Sequence, residues 1–306
     1  MEAIPYKFDP PFRAAARKKQ SDFRKEVLKV AFDPKDRLAK YGNLLRAEDA
    51  KRGLNFYEGY RESILKEIGP YKKPLFANLL RSEHIPWNVF FPMGMTKEHL
   101  EASVGLFNEI LGFESIKSIE KIIIERTSDA LNDHTAFDAY IEYKHIDGSI
   151  GGIGIEVKYT EEAYPLKKGS REEEKAVLNP APLYVNTTRN CGYYRQPEED
   201  YCLLVSDEFR QIWRNHILGA AMKLNGEIAH FHSVHLYPSF NTHFNEVLPK
   251  YQALLTKKGY ESFRPLTFEQ LFKVMGKHFN KTKDTPWIQY LWDRYIIISV
   301  PILMGH

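Results

Sequence analysis

A chain of 306 residues, 43% hydrophobic and 27% charged, is long enough for a substantial core and shows none of the compositional extremes of disordered, collagenous or disulfide-stapled proteins. Its formal charge of +3 is too small to argue a nucleic-acid partner by itself, and its two cysteines, Cys191 and Cys202, lack metal-finger spacing and read as reduced thiols. The opening MEAIPYKFDPPF has no apolar signal-peptide core, and YIIISVPILM near the end is roughly half the length a bilayer span needs, so a soluble, cytoplasmic protein without a membrane partner is expected.

Residues 12–30 read as a helix, with Phe12, Ala16, Phe23, Val27 and Val30 at helical spacing and Arg13, Arg17, Lys18, Lys19, Arg24 and Lys25 on the remaining surface. That basic face has two readings, contact with nucleic-acid phosphates or plain solvation. Residues 36–68 continue as polar helical segments broken at Gly53 and Gly59. Because no Pro/Ser-rich linker follows, residues 1–72 are expected to be a helical extension packed on a core formed by 73–245, with 246–306 a C-terminal helical segment of the same domain. In that core, 74–93 and 97–111 are predicted helices, the second capped by Thr96. Pro86 is tolerated only early in a helix, which places the start of a new helical turn near Ser82.

A first strand is predicted at 119–126, and a polar turn at 128–134 leads to the most informative stretch, FDAYIEYKHIDGSIGGIGIEVKYT at 137–160. Two runs rich in Ile, Val and Tyr flank Ile146-Asp147-Gly148, the pattern of a β-hairpin. Glu156 and Lys158 share a strand face by parity. A two-residue loop would put Asp138 on the opposite face. A three-residue loop closed by Gly148 in the left-handed region sets position 138 opposite 156 and brings Asp138, Glu156 and Lys158 together, with opposed Cβ atoms about 5 Å apart. Two carboxylates that close repel unless a cation lies between them, and Mg2+ suits a site that keeps waters and completes its shell on phosphate oxygens. Lys158 could hold an attacking water and offset charge building on a phosphoryl group. Gly151, Gly152 and Gly154 mark places where a ligand or another backbone approaches the strand.

Asp138 followed by Glu156-Val157-Lys158 resembles the active-site signature of the PD-(D/E)XK nuclease superfamily, although Phe137 stands where the signature has proline. GIGIEVKYTE, with RSEHIPWNVFFPM upstream and QIWRNHILGAAM downstream, resembles bacterial restriction-endonuclease-like proteins over most of the chain. The resemblance implies an α/β fold with a mixed sheet: a restriction-endonuclease-like core of helix, three strands, helix and strand. It implies metal-dependent phosphodiester hydrolysis, most simply by a DNA endonuclease using Mg2+, with Mn2+ able to substitute. Asp138, Glu156 and the backbone carbonyl of Val157 would hold the metal, and Lys158 would orient water. From a helix ahead of the sheet, Glu83, or His84 beside it, would complete the site. Capping is the other reading of Glu83.

Residues 161–200 are rich in charge, proline and tyrosine and read as a long loop. Lys167, Lys168, Arg171, Arg189 and Arg195, interleaved with Tyr184, Tyr193 and Tyr194, could contact phosphates and stack on bases, whereas Glu172, Glu173 and Glu174 argue for a plain surface insertion. A helix is predicted at 206–224, capped by Ser206, with Phe209, Ile212, Trp213, Ile217, Ala220 and Ala221 as its apolar face. By the resemblance, Gln211 and Arg214 on this helix would position a phosphate; solvation is their other reading. A fourth strand is expected at 229–237. His230 and His232 share a parity that His235 does not, and with His243 they offer no tetrahedral zinc set. The remainder reads as helical around Leu254 and over 268–279. A non-cleaving nucleic-acid-binding protein on the same fold is the second functional reading. A homodimer is compatible with cutting two strands, but no feature of the sequence shows one.

Overall fold

Five strands lie side by side in chain order: β1 (Ile116–Thr127), β2 (Ala136–His145), β3 (Ile150–Val157), β4 (His230–Tyr237) and β5 (Phe263–Thr267). The computed structural model describes residues 3–32, 38–132, 135–163, 165–170 and 182–298. β1, β2 and β3 pair antiparallel, β2 and β3 through a short turn, and β4 and β5 run parallel to β3. Parallel neighbours need crossover connections, and helices supply them. The helix α4 (Arg210–Leu224) lies between β3 and β4, and α5 (Thr242–Ala253) between β4 and β5. Ahead of the sheet come α1 (Pro11–Asp22), α2 (Ile85–Val89) and α3 (Lys97–Leu111); after it come α6 (Phe268–His278) and α7 (Thr285–Tyr295).

Both faces of the sheet are covered, giving an α/β protein with a mixed sheet. On one face Ile141, Ile153, Ile155 and Val157 pack with Phe107 of α3, Leu271 of α6 and Leu291 of α7. On the other, Tyr140 and Phe231 pack with Trp213 and Ile217 of α4 and Tyr251 of α5. The β2–β3 hairpin has the predicted register. Ala139 pairs with Ile155 and Lys144 with Ile150, which sets 138 against 156. Its loop closes through His145 N–H to Ser149 O (2.9 Å) and Gly148 N–H to His145 O (2.9 Å), with Gly148 at φ +89°.

Several expectations change. Residues 12–30 are not one amphipathic helix: α1 ends at Asp22 and widens into a π turn at Phe23–Val27, which leaves Val27 exposed. Two of its six basic residues face inward. Arg17 donates to Asp9 Oδ2 (2.5 Å) and Asn43 Oδ1, and Arg24 donates to Gly42 O (2.8 Å) and Val30 O. Asp9, Asn43 and Gly42 lie outside the stretch and Val30 at its end, and together they turn both cations inward, so a continuous basic face does not form. The predicted helix at 74–93 is broken into Lys73–Ala77, α2 and a 3-10 turn at Pro92–Gly94, and Pro86 does fall in the first two positions of α2. Thr96 caps α3 by accepting from His99 N–H (3.1 Å). α4 begins at Arg210 without a side-chain cap, so Ser206 does not cap it.

β5 was not foreseen. It is short, contains Pro265, and has β4 as its partner, an edge position where a missing N–H is tolerated. The stretch 161–200 includes a helix at Pro182–Asn190. Tyr184, Tyr193 and Tyr194 are buried in the core rather than offered as a stacking platform. Arg171, Glu172, Glu173, Glu174, His134 and the last eight residues lie outside the described residues.

A buried cation ties the two ends of the chain together. Arg294 of α7 is fully buried and donates to Asn55 O (2.7 Å), Asn55 Oδ1 and the Tyr290 hydroxyl, and lies 3.2 Å from His84 Nε2. Gln20 of α1 donates to the Tyr159 hydroxyl (3.0 Å) and to Arg294 O (2.9 Å).

Candidate active site

Beyond the Ala139–Ile155 pair the β2–β3 ladder gives way to a side-chain contact, in which Asp138 Oδ2 accepts from Val157 N–H at 2.7 Å. Glu156 and Lys158 are both buried, 9% and 5% exposed, and Lys158 Nζ lies 2.5 Å from Glu156 Oε1. A buried carboxylate needs partners on both oxygens. The second partner is Asn215 of α4, whose Nδ2 donates to Glu156 Oε2. The Asp138 carboxyl is held well above the usual range by withdrawal from water and by Glu156 beside it, against the pull of Lys158 and the Val157 N–H.

These groups line an open cavity of about 390 Å³. Asp138, Glu156 and Lys158 form its floor, Glu83 with Arg81 and Ser82 one wall, and Gln211, Arg214 and Asn215 another, with Thr135 at the start of β2. Of the predicted residues, Asp138, Glu156, Lys158, Glu83, Gln211 and Arg214 therefore surround one space. Val157 turns its side chain into the core and meets the site through its backbone. His84 is fully buried beside Arg294 and does not line the cavity.

The wall carrying Glu83 is fastened to the end of β3. Glu161 accepts from Ser82 N–H (2.9 Å) and Tyr159 N–H (2.9 Å), and the Thr160 hydroxyl donates to Leu80 O (3.1 Å). Glu83 itself is paired with Arg81, Nε to Oε2 at 2.9 Å. Across the cavity Arg214 donates to the Tyr184 hydroxyl (3.1 Å) and to Thr135 Oγ1, so its guanidinium is oriented rather than simply solvated.

Asn215, Arg81, Thr135 and Glu161 were not singled out from the sequence. A signal for Asn215 existed, since it lies four residues after Gln211 and so shares that face of α4. The β3 glycines also have a different explanation from the one expected. A Cβ at Gly151 would meet Tyr143, one at Gly152 would meet Tyr140, and one at Gly154 would meet Phe137, all at 2.4 Å or less. Cross-strand aromatic rings, not a ligand, occupy the space over them. Phe137 and Tyr140, three residues apart, stack at 5.6 Å in the same cluster, so β2 departs from strict alternation beside Asp138.

The donor set fits a hard divalent cation. Two carboxylates converge, one of them disfavoured as an anion, and oxygen ligands of this kind match Mg2+. A family model described as the PD-(D/E)XK nuclease superfamily matches residues 7–297, and the chain belongs to that superfamily. Membership supports a nuclease-type function. No curated protein and no solved structure matches the chain. Among the described residues no helix is long and apolar enough to cross a membrane, and both cysteines are free thiols.

Proposed function

We propose that the protein is a Mg2+-dependent DNA endonuclease that hydrolyses phosphodiester bonds at the Asp138–Glu156–Lys158 cavity. The observation that carries the reading is the meeting of two carboxylates and a buried lysine on one cavity floor, with Glu83 on the adjoining wall. Asp138, Glu156 and the Val157 carbonyl would hold the metal, with Mn2+ able to replace it. A bound metal of this type polarises a phosphoryl oxygen and lowers the pKa of a coordinated water.

The chain's own groups divide the remaining work. Lys158, held against Glu156, offers a cationic Nζ in a water-poor setting, where it can hold a nucleophilic water and balance charge on the phosphorane oxygens. Asn215 and Lys158 together fix the Glu156 carboxylate, so it does not need to reorient. Arg214 and Gln211, on the opposite wall, are suited to gripping a flanking phosphate, Arg214 from an orientation set by Tyr184 and Thr135. Glu83, whose charge Arg81 balances, would supply a further carboxylate to a bound metal from the adjoining wall.

The test is plasmid cleavage with Mg2+, with EDTA as the control. Lys158→Ala should abolish metal-dependent cleavage while DNA affinity stays within about threefold, because Lys158 is buried against Glu156 and offers little surface for general phosphate contact. Unchanged cleavage by a folded Lys158→Ala variant removes Lys158 from the chemistry. Salt-sensitive, metal-indifferent binding by the native protein, with no nicks, would support the non-cleaving reading instead.

A further inference from the structure

We propose that the tip of the β2–β3 hairpin and the first residue of β4 form a second metal site, for a transition dication of the zinc class. His145, Asp147 and His230 each offer one ligand atom, all within 4.8 Å of one another. His145 Nδ1 lies 3.0 Å from Asp147 Oδ1, and His230 Nε2 lies 2.9 Å from Asp147 Oδ2. Tetrahedral Zn2+ with N and O ligands at ~2.0–2.1 Å has ligand-to-ligand edges of about 3.3 Å, so atoms within 4.8 Å of one another need to close by at most about 1.5 Å to share one ion.

The fold builds the cluster. The three-residue turn sets Asp147 back toward His145, and the parallel pairing of Gly151 with His230 carries a histidine from a distant part of the sequence alongside. Ser149 orients the carboxylate by donating its N–H (2.8 Å) and hydroxyl (2.6 Å) to Asp147 Oδ1, the kind of outer contact that fixes a ligand. The two imidazoles stack with centroids 3.9 Å apart and planes 20° from parallel.

His145 Nδ1 is also 3.2 Å from Asp147 N–H. The tautomer that accepts this N–H presents a lone pair to Oδ1, an acceptor facing an acceptor. A dication held by that lone pair and by the carboxylate turns the acceptor–acceptor contact into shared coordination. Two imidazoles with one carboxylate favour Zn2+, Co2+ or Ni2+ over Mg2+. Glu156 lies at the far end of β3, about 20 Å along the strand at 3.3 Å per residue, so this site is separate from the carboxylate cavity. Its role is to pin the hairpin turn to β4. The proposal does not depend on the nuclease reading.

The test titrates metal-free full-length protein with Zn2+ and with Co2+, read by calorimetry and by the visible absorption of bound Co2+. Wild type should take up one equivalent that survives in Asp138→Asn and in His278→Ala, a surface histidine paired with Glu109. His145→Ala and His230→Ala should each lose that equivalent or weaken it at least roughly tenfold, by the scale set for disrupted metal shells. The Zn2+-induced rise in thermal midpoint should vanish with it. Binding unaffected by both histidine variants, or uptake lost entirely in Asp138→Asn, overturns the proposal.

Discussion

Asn215 shows how much a single amide can decide. It satisfies the Glu156 oxygen that Lys158 does not reach, and without it a carboxylate 9% exposed would be left half-paired. On the proposed nuclease reading, Asn215→Ala is expected to lower cleavage by about 10–100-fold and to raise the Mg2+ concentration needed for half-maximal rate, as for groups that orient metal ligands. Asn215→Asp should fall below Asn215→Ala, because it sets a third carboxylate beside the pair. A metal dependence identical to wild type would reduce Asn215 to a packing role. At this scale the sequence revealed what depends on near neighbours. Asp138, Glu156 and Lys158 could be placed on one face because parity and one glycine fix their relation. The inward turn of Arg17 and Arg24 could not be read, since their partners Asp9, Asn43 and Gly42 O are brought to them only by tertiary folding.

Between elements, the seating of α4 on β4 sets how closely Asn215 approaches the sheet. Gly219 lies one turn beyond Asn215, and a Cβ there would sit 2.1 Å from the Phe231 ring. Gly219→Ala gains about 1 kcal/mol of helix propensity but crowds a packed ring, which typically costs about 1–3 kcal/mol. Net destabilisation is expected in urea titration, with partial recovery in the Gly219→Ala, Phe231→Leu double variant. A more stable single variant would show that the interface can yield. The hairpin was legible because its turn residues and alternation agree. β5 was missed because Phe263-Arg264-Pro265-Leu266-Thr267 is short and carries a proline, and its strand character comes from β4 rather than from its own pattern.

For the whole molecule, acid sensitivity follows from histidines buried without charge. Burial pushes His216 down to about 3 and His232 to about 4, and holds His84 and His235 well below the normal range. The unfolded chain protonates these rings near pH 6.5 while the native state does not, so their stability is full above that pH and is lost as pH falls. Each ring contributes a slope of about 1.4 kcal/mol per pH unit once the unfolded form is protonated. Asp138, raised in the native state, works the other way, one group against four. Urea midpoints should be flat above pH 7 and fall between pH 6.5 and 5, less steeply in His216→Gln. A flat profile to pH 5 would contradict the neutral burial of these rings.

The guanidinium of Arg294 also imposes an order of events on synthesis. Two of its acceptors come from residue 55, its neighbour His84 adjoins the acid on the cavity wall, and the glutamine that binds its carbonyl lies 274 positions earlier. A ribosome that has released the hairpin and α4 has made every carboxylate and the lysine, yet the wall behind Glu83 still lacks the cation that fills it. That wall should therefore be completed late, when almost the whole polypeptide has emerged.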